Sequence, residues 1–237
     1  MSKFYIIFNN RSSEEMGVKF YDKLITPVRK MRYTETEIPG RDSKLYEENG
    51  YDDTTIEFSA EVAGEQGKKE SRQKYRRIIK WLNNVNNNEL TLSDDLGFFY
   101  IVNKVVLENI EQEYGDGGEF KVTFVCEPYQ YLKAGAYPIP LPAAIFNEHE
   151  PTCPVYKMTG EGFVKLTVNG KLVTVNVGQN LTIDTKLGLC YREDGTLNNT
   201  ALTGDYADLL LKEGENIFSY TASGSGVSIE LIPNWRA

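Results

Sequence analysis

The chain of 237 residues has little of what metal sites and most nucleophilic enzymes are built from. It contains one histidine, His149, so neither a histidine-based metal site nor a histidine-assisted nucleophile has a second imidazole to draw on. Its three cysteines, Cys126, Cys153 and Cys190, lie far apart and form no Cys-x-x-Cys pair. That spacing fits neither a zinc site nor a disulfide framework, and reduced thiols are expected. No apolar run approaches a membrane span, and the opening MSKFYIIFNN lacks a small-residue cleavage site, so it reads as a strand rather than a secretory signal. The phosphate-loop, zinc-protease and serine-hydrolase signatures are all absent. Asp94 and Asp95 are adjacent, and on a strand they would point to opposite faces, away from any shared acid/base task. No catalytic, cofactor-binding or metal-binding residue is therefore expected. Positive charge is also short: 26 Lys and Arg stand against 34 Asp and Glu, a net charge of −8, which repels nucleic-acid phosphate and argues against nucleic-acid binding by the free protein.

What is present is sheet patterning in two blocks. Phe120, Val122, Phe124 and Cys126 alternate with Lys121, Thr123 and Val125, and Pro128 is expected to end that strand. Gly135, Pro138, Pro140 and Pro142 follow. The expectation is an N-terminal domain over 1–134 and a C-terminal domain over 135–237, with 135–147 as a linker. In the first block Thr55 to Val62 alternates Ile56, Phe58, Ala60 and Val62 with polar residues, a strand with one wet face. Lys68 to Asn87 then changes to a helical period, with Tyr75, Ile78, Ile79, Leu82 and Val85 on the apolar stripe. Lys68, Lys69, Arg72, Lys74, Arg76, Arg77 and Lys80 against Glu70 make this helix positive by six charges in an acidic protein. Such a run serves as a solvated face or as a contact for an acidic neighbour, which a second copy of the chain would supply. The stretch IPGRDSKLYEENGYDD reads as an acidic loop.

In the second block Asn169-Gly170 sits between alternating runs and predicts a two-residue hairpin pairing Leu166 with Val173 and Val164 with Val175. Further short strands are expected at Leu181 to Asp184, Leu187 to Arg192, Leu209 to Leu211, Ile217 to Tyr220 and Val227 to Ile232. Turn signals every eight to twelve residues, with no helix, indicate an antiparallel sandwich.

Read in order, Ile38-Pro39-Gly40-Arg41-Asp42, Trp81-Leu82, Leu90 to Asp95, Phe99-Tyr100 and the run Phe120 to Tyr129 resemble the N-terminal half of the distal tail (Dit) proteins of bacteriophages with long, non-contractile tails. Ser43 departs from that pattern, where glycine is usual. Gly160-x-Gly162, Val168-Asn169-Gly170, Asp194-Gly195, Gly204-Asp205-Tyr206 and Glu213-Gly214-Glu215-Asn216 resemble the family's C-terminal domain, and no long insertion is present.

The resemblance implies a mainly β fold of two β-sandwich domains, the first with a single amphipathic helix and the second galectin-like. It implies a structural virion protein at the tail tip, made in the host cytoplasm. In that role six copies form a ring joining the tail tube to the baseplate, with the tail tube, tape measure and receptor-binding proteins as partners and no membrane contact. Arg72, Arg76 and Arg77 are the candidates for one face of the subunit contact, and Leu45, Tyr46, Glu47, Glu48 and Tyr51 for the other. The alternative is a carbohydrate-binding module acting in host-surface adsorption, with Tyr191, Tyr206 or Trp235 stacking on a sugar ring.

Overall fold

The computed structural model describes residues 4–21, 27–63, 68–108, 111–113 and 117–237. The chain divides into two compact units, Met1–Gln130 and Tyr131–Ala237, a few residues before the boundary expected from the prolines. It is mainly β, and its one α-helix among the described residues lies in the first unit.

The first unit carries β1 (Ile6–Phe8), β2 (Arg11–Ser12), β3 (Val18–Phe20), β4 (Met31–Thr36), β5 (Leu45–Tyr51), β6 (Thr54–Ala63), α1 (Lys68–Asn83), β7 (Glu89–Leu92), β8 (Asp95–Leu107), β9 (Glu111–Glu113) and β10 (Gly117–Leu132). Eight of these strands form one sheet in the order β2-β1-β7-β8-β10-β6-β3, with β9 on β10, while β4 and β5 pair only with each other. The two strands with the cleanest alternation lie side by side: β6 and β10 pair from Gly117↔Ala63 to Cys126↔Thr54, so Phe58 and Val122, and Ile56 and Phe124, are directly opposite on the inner face. Those side chains are fully or almost fully buried, while Glu57 and Ser59 between them are wet. Rings interlock at the centre: Phe124 meets Phe8 edge-on at 5.1 Å and Phe58 at 6.2 Å, and Phe58 meets Phe20 at 5.6 Å. Each buried side chain of this size contributes about 1.5–3 kcal/mol by leaving water. Cys126 ends the inward row as a small hydrophobe, and burial pushes its thiol up to about 12.

Three expectations for this unit need correction. Pro128 does not end its strand, because β10 runs on to Leu132; the ladder with β6 stops at Cys126↔Thr54, so the missing N–H of Pro128 costs no rung there. The helix stops at Asn83 rather than Asn87. Its buried stripe is Tyr75, Ile78, Trp81 and Leu82, with Ile79 rotated one residue off it and Val85 beyond the end, both 40% exposed. The acidic stretch after Asp42 is not a loop, because Leu45–Tyr51 forms β5. Its strand character was hidden because neither face is buried, so no apolar alternation marks it.

The second unit carries β11 (Ile139–Pro140), β12 (Ala144–Asn147), β13 (Val155–Val168), β14 (Lys171–Asp184), β15 (Leu189–Tyr191), β16 (Leu202–Thr203), β17 (Gly214–Ala222) and β18 (Ser228–Ile232). Residues 135–147, read as a linker, thus supply two strands. Ile139 and Pro140 pair with Leu231 and Glu230 on a sheet edge, where a proline costs least, and Ala144–Asn147 pair with β17. The Asn169-Gly170 hairpin forms in the expected register, both residues at positive φ (51° and 82°) as a tight primed turn requires. Its arms are twice as long as the alternation suggested: β13 and β14 pair without a break from Val155↔Asp184 to Val168↔Lys171.

These two strands organise the unit. The first half of β13 pairs with β18 and the second half with β17. Between the halves Gly160 and Gly162 take φ of +112° and +114°, and the backbone of Gly224 to Val227 lies directly on them. Tyr156, Met158, Val164, Leu166 and Val168 of β13 and Val173, Val175, Val177, Leu181 and Ile183 of β14 fill the core. The Tyr156 hydroxyl donates to the Leu209 carbonyl at 2.8 Å, and burial pushes the phenol's pKa up. Leu209 to Leu211 is not a strand: Asp205 accepts from the Ala207 N–H (2.9 Å) and caps a 3-10 turn over Tyr206–Leu209, leaving Leu211 a single bridge to Thr152.

Candidate subunit interface

Two features of the first unit are exposed to solvent. The first is the outer surface of α1. Arg72, Arg76 and Arg77 are exposed, and among the described residues none of them makes an ion pair. They do not lie together. Arg72 and Arg76, four residues apart, share one stripe, whereas Arg77 turns toward a cleft of about 540 Å³ between α1 and the β2–β3 connection. Lys74, Arg77, Lys80 and Arg11 line that cleft with Glu14 and Glu15, and Met16 and the largely buried Trp81 also border it. Lys74 also donates to the Ala63 carbonyl at 3.0 Å.

One end of the cleft is set by Asn9. Its Nδ2 donates to the carbonyls of Trp81 (3.0 Å) and Asn84 (2.9 Å), and its Oδ1 accepts from the N–H groups of Asn86 (3.0 Å) and Asn87 (3.2 Å). Asn9 thus serves backbone groups at the C-terminal end of α1 from a strand end more than 70 residues away, at φ +51°, which asparagine tolerates well. Asn9→Ala is expected to cost about 2 kcal/mol or more, because several carbonyl and N–H groups lose their partner at once. Urea denaturation followed by tryptophan fluorescence would measure it.

The second feature is the β4–β5 hairpin. Every residue from Arg32 to Gly50 is exposed, Leu45 at 49% and Tyr46 at 56%. The register divides the ribbon into two faces. Tyr33 lies opposite Glu48 and Glu35 opposite Tyr46 on one face, while Thr34 lies opposite Glu47 and Thr36 opposite Leu45 on the other. Tyr46 and Glu48 therefore share a face, and Leu45 and Glu47 share the reverse one. Tyr33 and Tyr46 meet edge-on at 6.2 Å, and Lys44 pairs with Glu35 at 2.7 Å beside them. Glu47 and Glu48 have no ion pair among the described residues. Tyr51 belongs to the base, not the arm: it packs edge-on to Tyr129 at 5.9 Å, with the Arg29 guanidinium 4.9 Å from its ring and 5.2 Å from that of Tyr129. Near the tip Arg41 N–H donates to the Ile38 carbonyl (3.1 Å) and Gly40 takes φ +82°, so Pro39-Gly40 makes a type II turn. The departure at Ser43 lies outside that turn.

An isolated two-stranded ribbon is marginal in water, and this one holds Leu45, Tyr33 and Tyr46 clear of its own core. The same unit thus carries a basic helix face and an acidic ribbon, surfaces of opposite charge.

Residues 1–128 match the family model described as a phage tail protein N-terminal domain. The chain belongs to this phage tail protein family. The crystal structure of SPP1 Dit, presented as a paradigm of the hub adsorption apparatus in phages infecting Gram-positive bacteria, shares the fold of this tail protein. The TM-score is 0.66 at 13% identity, over 97% of this chain and 98% of that one. No curated protein matches the chain in sequence.

In the second unit of this tail protein the three aromatic candidates are half-buried. Tyr206 packs on the core and its hydroxyl contacts Cys190 Sγ at 3.3 Å, with burial raising the phenol's pKa. Trp235 also packs on that core and fills the space over Gly135, where an added Cβ would come within 2.7 Å of its backbone nitrogen. Tyr191 sits in β15 opposite Thr182. Sequence reasoning included Lys74 and Lys80 in the basic run of the helix but passed over Arg11, Asn9 and Tyr33. The spacing of Lys74, Arg77 and Trp81 at three and four was visible on the helix, but the facing wall of the cleft depends on contacts distant in the chain.

Proposed function

We propose that this tail protein is a distal tail subunit, six copies of which close into a ring through their first units at the tail tip. The ring joins the end of the tail tube to the host-recognition apparatus, with the tail tube, tape measure and receptor-binding proteins as its neighbours. A closed ring needs a heterologous contact that repeats around the axis, hence two unlike surfaces on one subunit. The observation that carries the reading is that one unit carries both an exposed β4–β5 hairpin with two unpaired glutamates and an exposed basic helix face, in a chain whose fold matches Dit over almost its whole length. The hairpin's tyrosines and Leu45 supply apolar contact, and the charges set register and specificity. Immunogold labelling of intact virions is expected to mark the distal end of the tail. Label confined to the capsid or distributed along the tube would contradict this placement.

A further inference from the structure

We infer that the cleft between α1 and the β2–β3 connection is the receptor for the Tyr46–Glu48 face of the β5 strand of a second copy, with Arg77 as its central cation. The inference rests on the ring reading and names the contact that would close the ring.

Four cations, Arg11, Lys74, Arg77 and Lys80, converge on this one cleft, and Arg77 and Lys80 make no ion pair among the described residues. Glu14 and Glu15 offset two of these four charges, so the cleft is positive by two and favours an occupant that brings negative charge. The chain carries −8 overall while α1 alone is positive by six, so a second copy is itself an acidic partner. Within that copy the fully exposed acidic strand is β5, and its two faces differ in what they offer. The Leu45–Glu47 face carries threonines around its acid, whereas the Glu48 face carries Tyr33 and Tyr46 next to theirs. The apolar surface the cleft offers is chiefly the Met16 thioether, which favours aromatic contact, because Trp81 is only 5% exposed and belongs to the core. The tyrosine face matches both parts of the cleft: rings on Met16, carboxylate on Arg77 and Lys80. Arg72 and Arg76 do not line the cleft and stand outside the contact.

Charge exchange in the full chain tests this, with association followed by sedimentation at about 0.05 M and about 0.5 M salt, where exposed ion pairs are strong and then screened. Arg77→Glu and Glu48→Arg are each expected to raise the dissociation constant about tenfold or more at low salt. The double exchange should return it to within about threefold of the original, and Arg72→Glu with Arg76→Glu should change it by less than about threefold. All four positions are exposed, and circular dichroism verifies folding. An assembly that persists unchanged through the Arg77 and Glu48 reversals, or a double exchange that fails to restore it, overturns this contact and leaves the ring reading standing. An unaltered chain that remains monomeric overturns the ring reading itself, and this contact with it.

Discussion

Gly162→Ala and Gly160→Ala should each collapse the long hairpin of the second unit. At Gly162 an added Cβ would stand 2.7 Å from Gly224 Cα, and at Gly160 2.6 Å from the Gly226 carbonyl oxygen, so in both places the obstacle is backbone that cannot rotate away. The φ values of +114° and +112° add a second penalty, because this region is open almost only to glycine. Strain and overpacking together amount to about 3–5 kcal/mol. For a unit of this size that lowers the melting temperature by about 10 °C or more. Hydrogen exchange with mass spectrometry should locate the loss in β13, β14, β17 and β18 and leave α1 and β6 protected. Gly170→Ala is the control: its Cβ would meet nothing within 4 Å, and only the positive φ is strained.

Removing the arm should abolish assembly and leave the subunit folded. Met31 and Tyr51 are directly paired, so an Asn-Gly turn can join them in place of residues 32–50 while the base of Tyr51, Tyr129 and Arg29 is retained. Every deleted residue is exposed, so the melting temperature should move by only a few degrees. Association should weaken by about a hundredfold or more, because the exposed aromatic and aliphatic groups that carry contact energy go with the arm. Sedimentation and calorimetry on the same sample separate the two effects. A shortened chain that assembles as well as the original would exclude the hairpin as a ring element.

Those two expectations mark where the sequence was informative. Ile56 to Val62 and Phe120 to Cys126 announced themselves because each has one buried and one wet face, and they prove to be neighbours in one sheet. Tyr75, Ile78 and Leu82 announced the helix in the same way. Leu45 to Tyr51 did not, since a ribbon with no buried face leaves no periodic trace and its glutamates read as a loop. The length of β13 was hidden by Gly160 and Gly162, which look like strand breakers but here bend a strand that continues. Prolines misled twice: Pro128 lies beyond the end of the ladder with β6, and Pro140 lies on an edge strand, where a missing N–H costs least. The cleft was the least legible part: Arg77 was visible as one of three arginines, but what separates it from Arg72 and Arg76 is Arg11, Glu14 and Met16 on the facing wall.

The ring is the centre of the account, and the mass of the unaltered chain in solution tests it most directly. Native mass spectrometry at tens of micromolar and low salt should give one dominant species at six times the 26.9 kDa chain mass, dissociating as salt is raised. A single-copy mass across that range, or an assembly that stops at two copies, would contradict it.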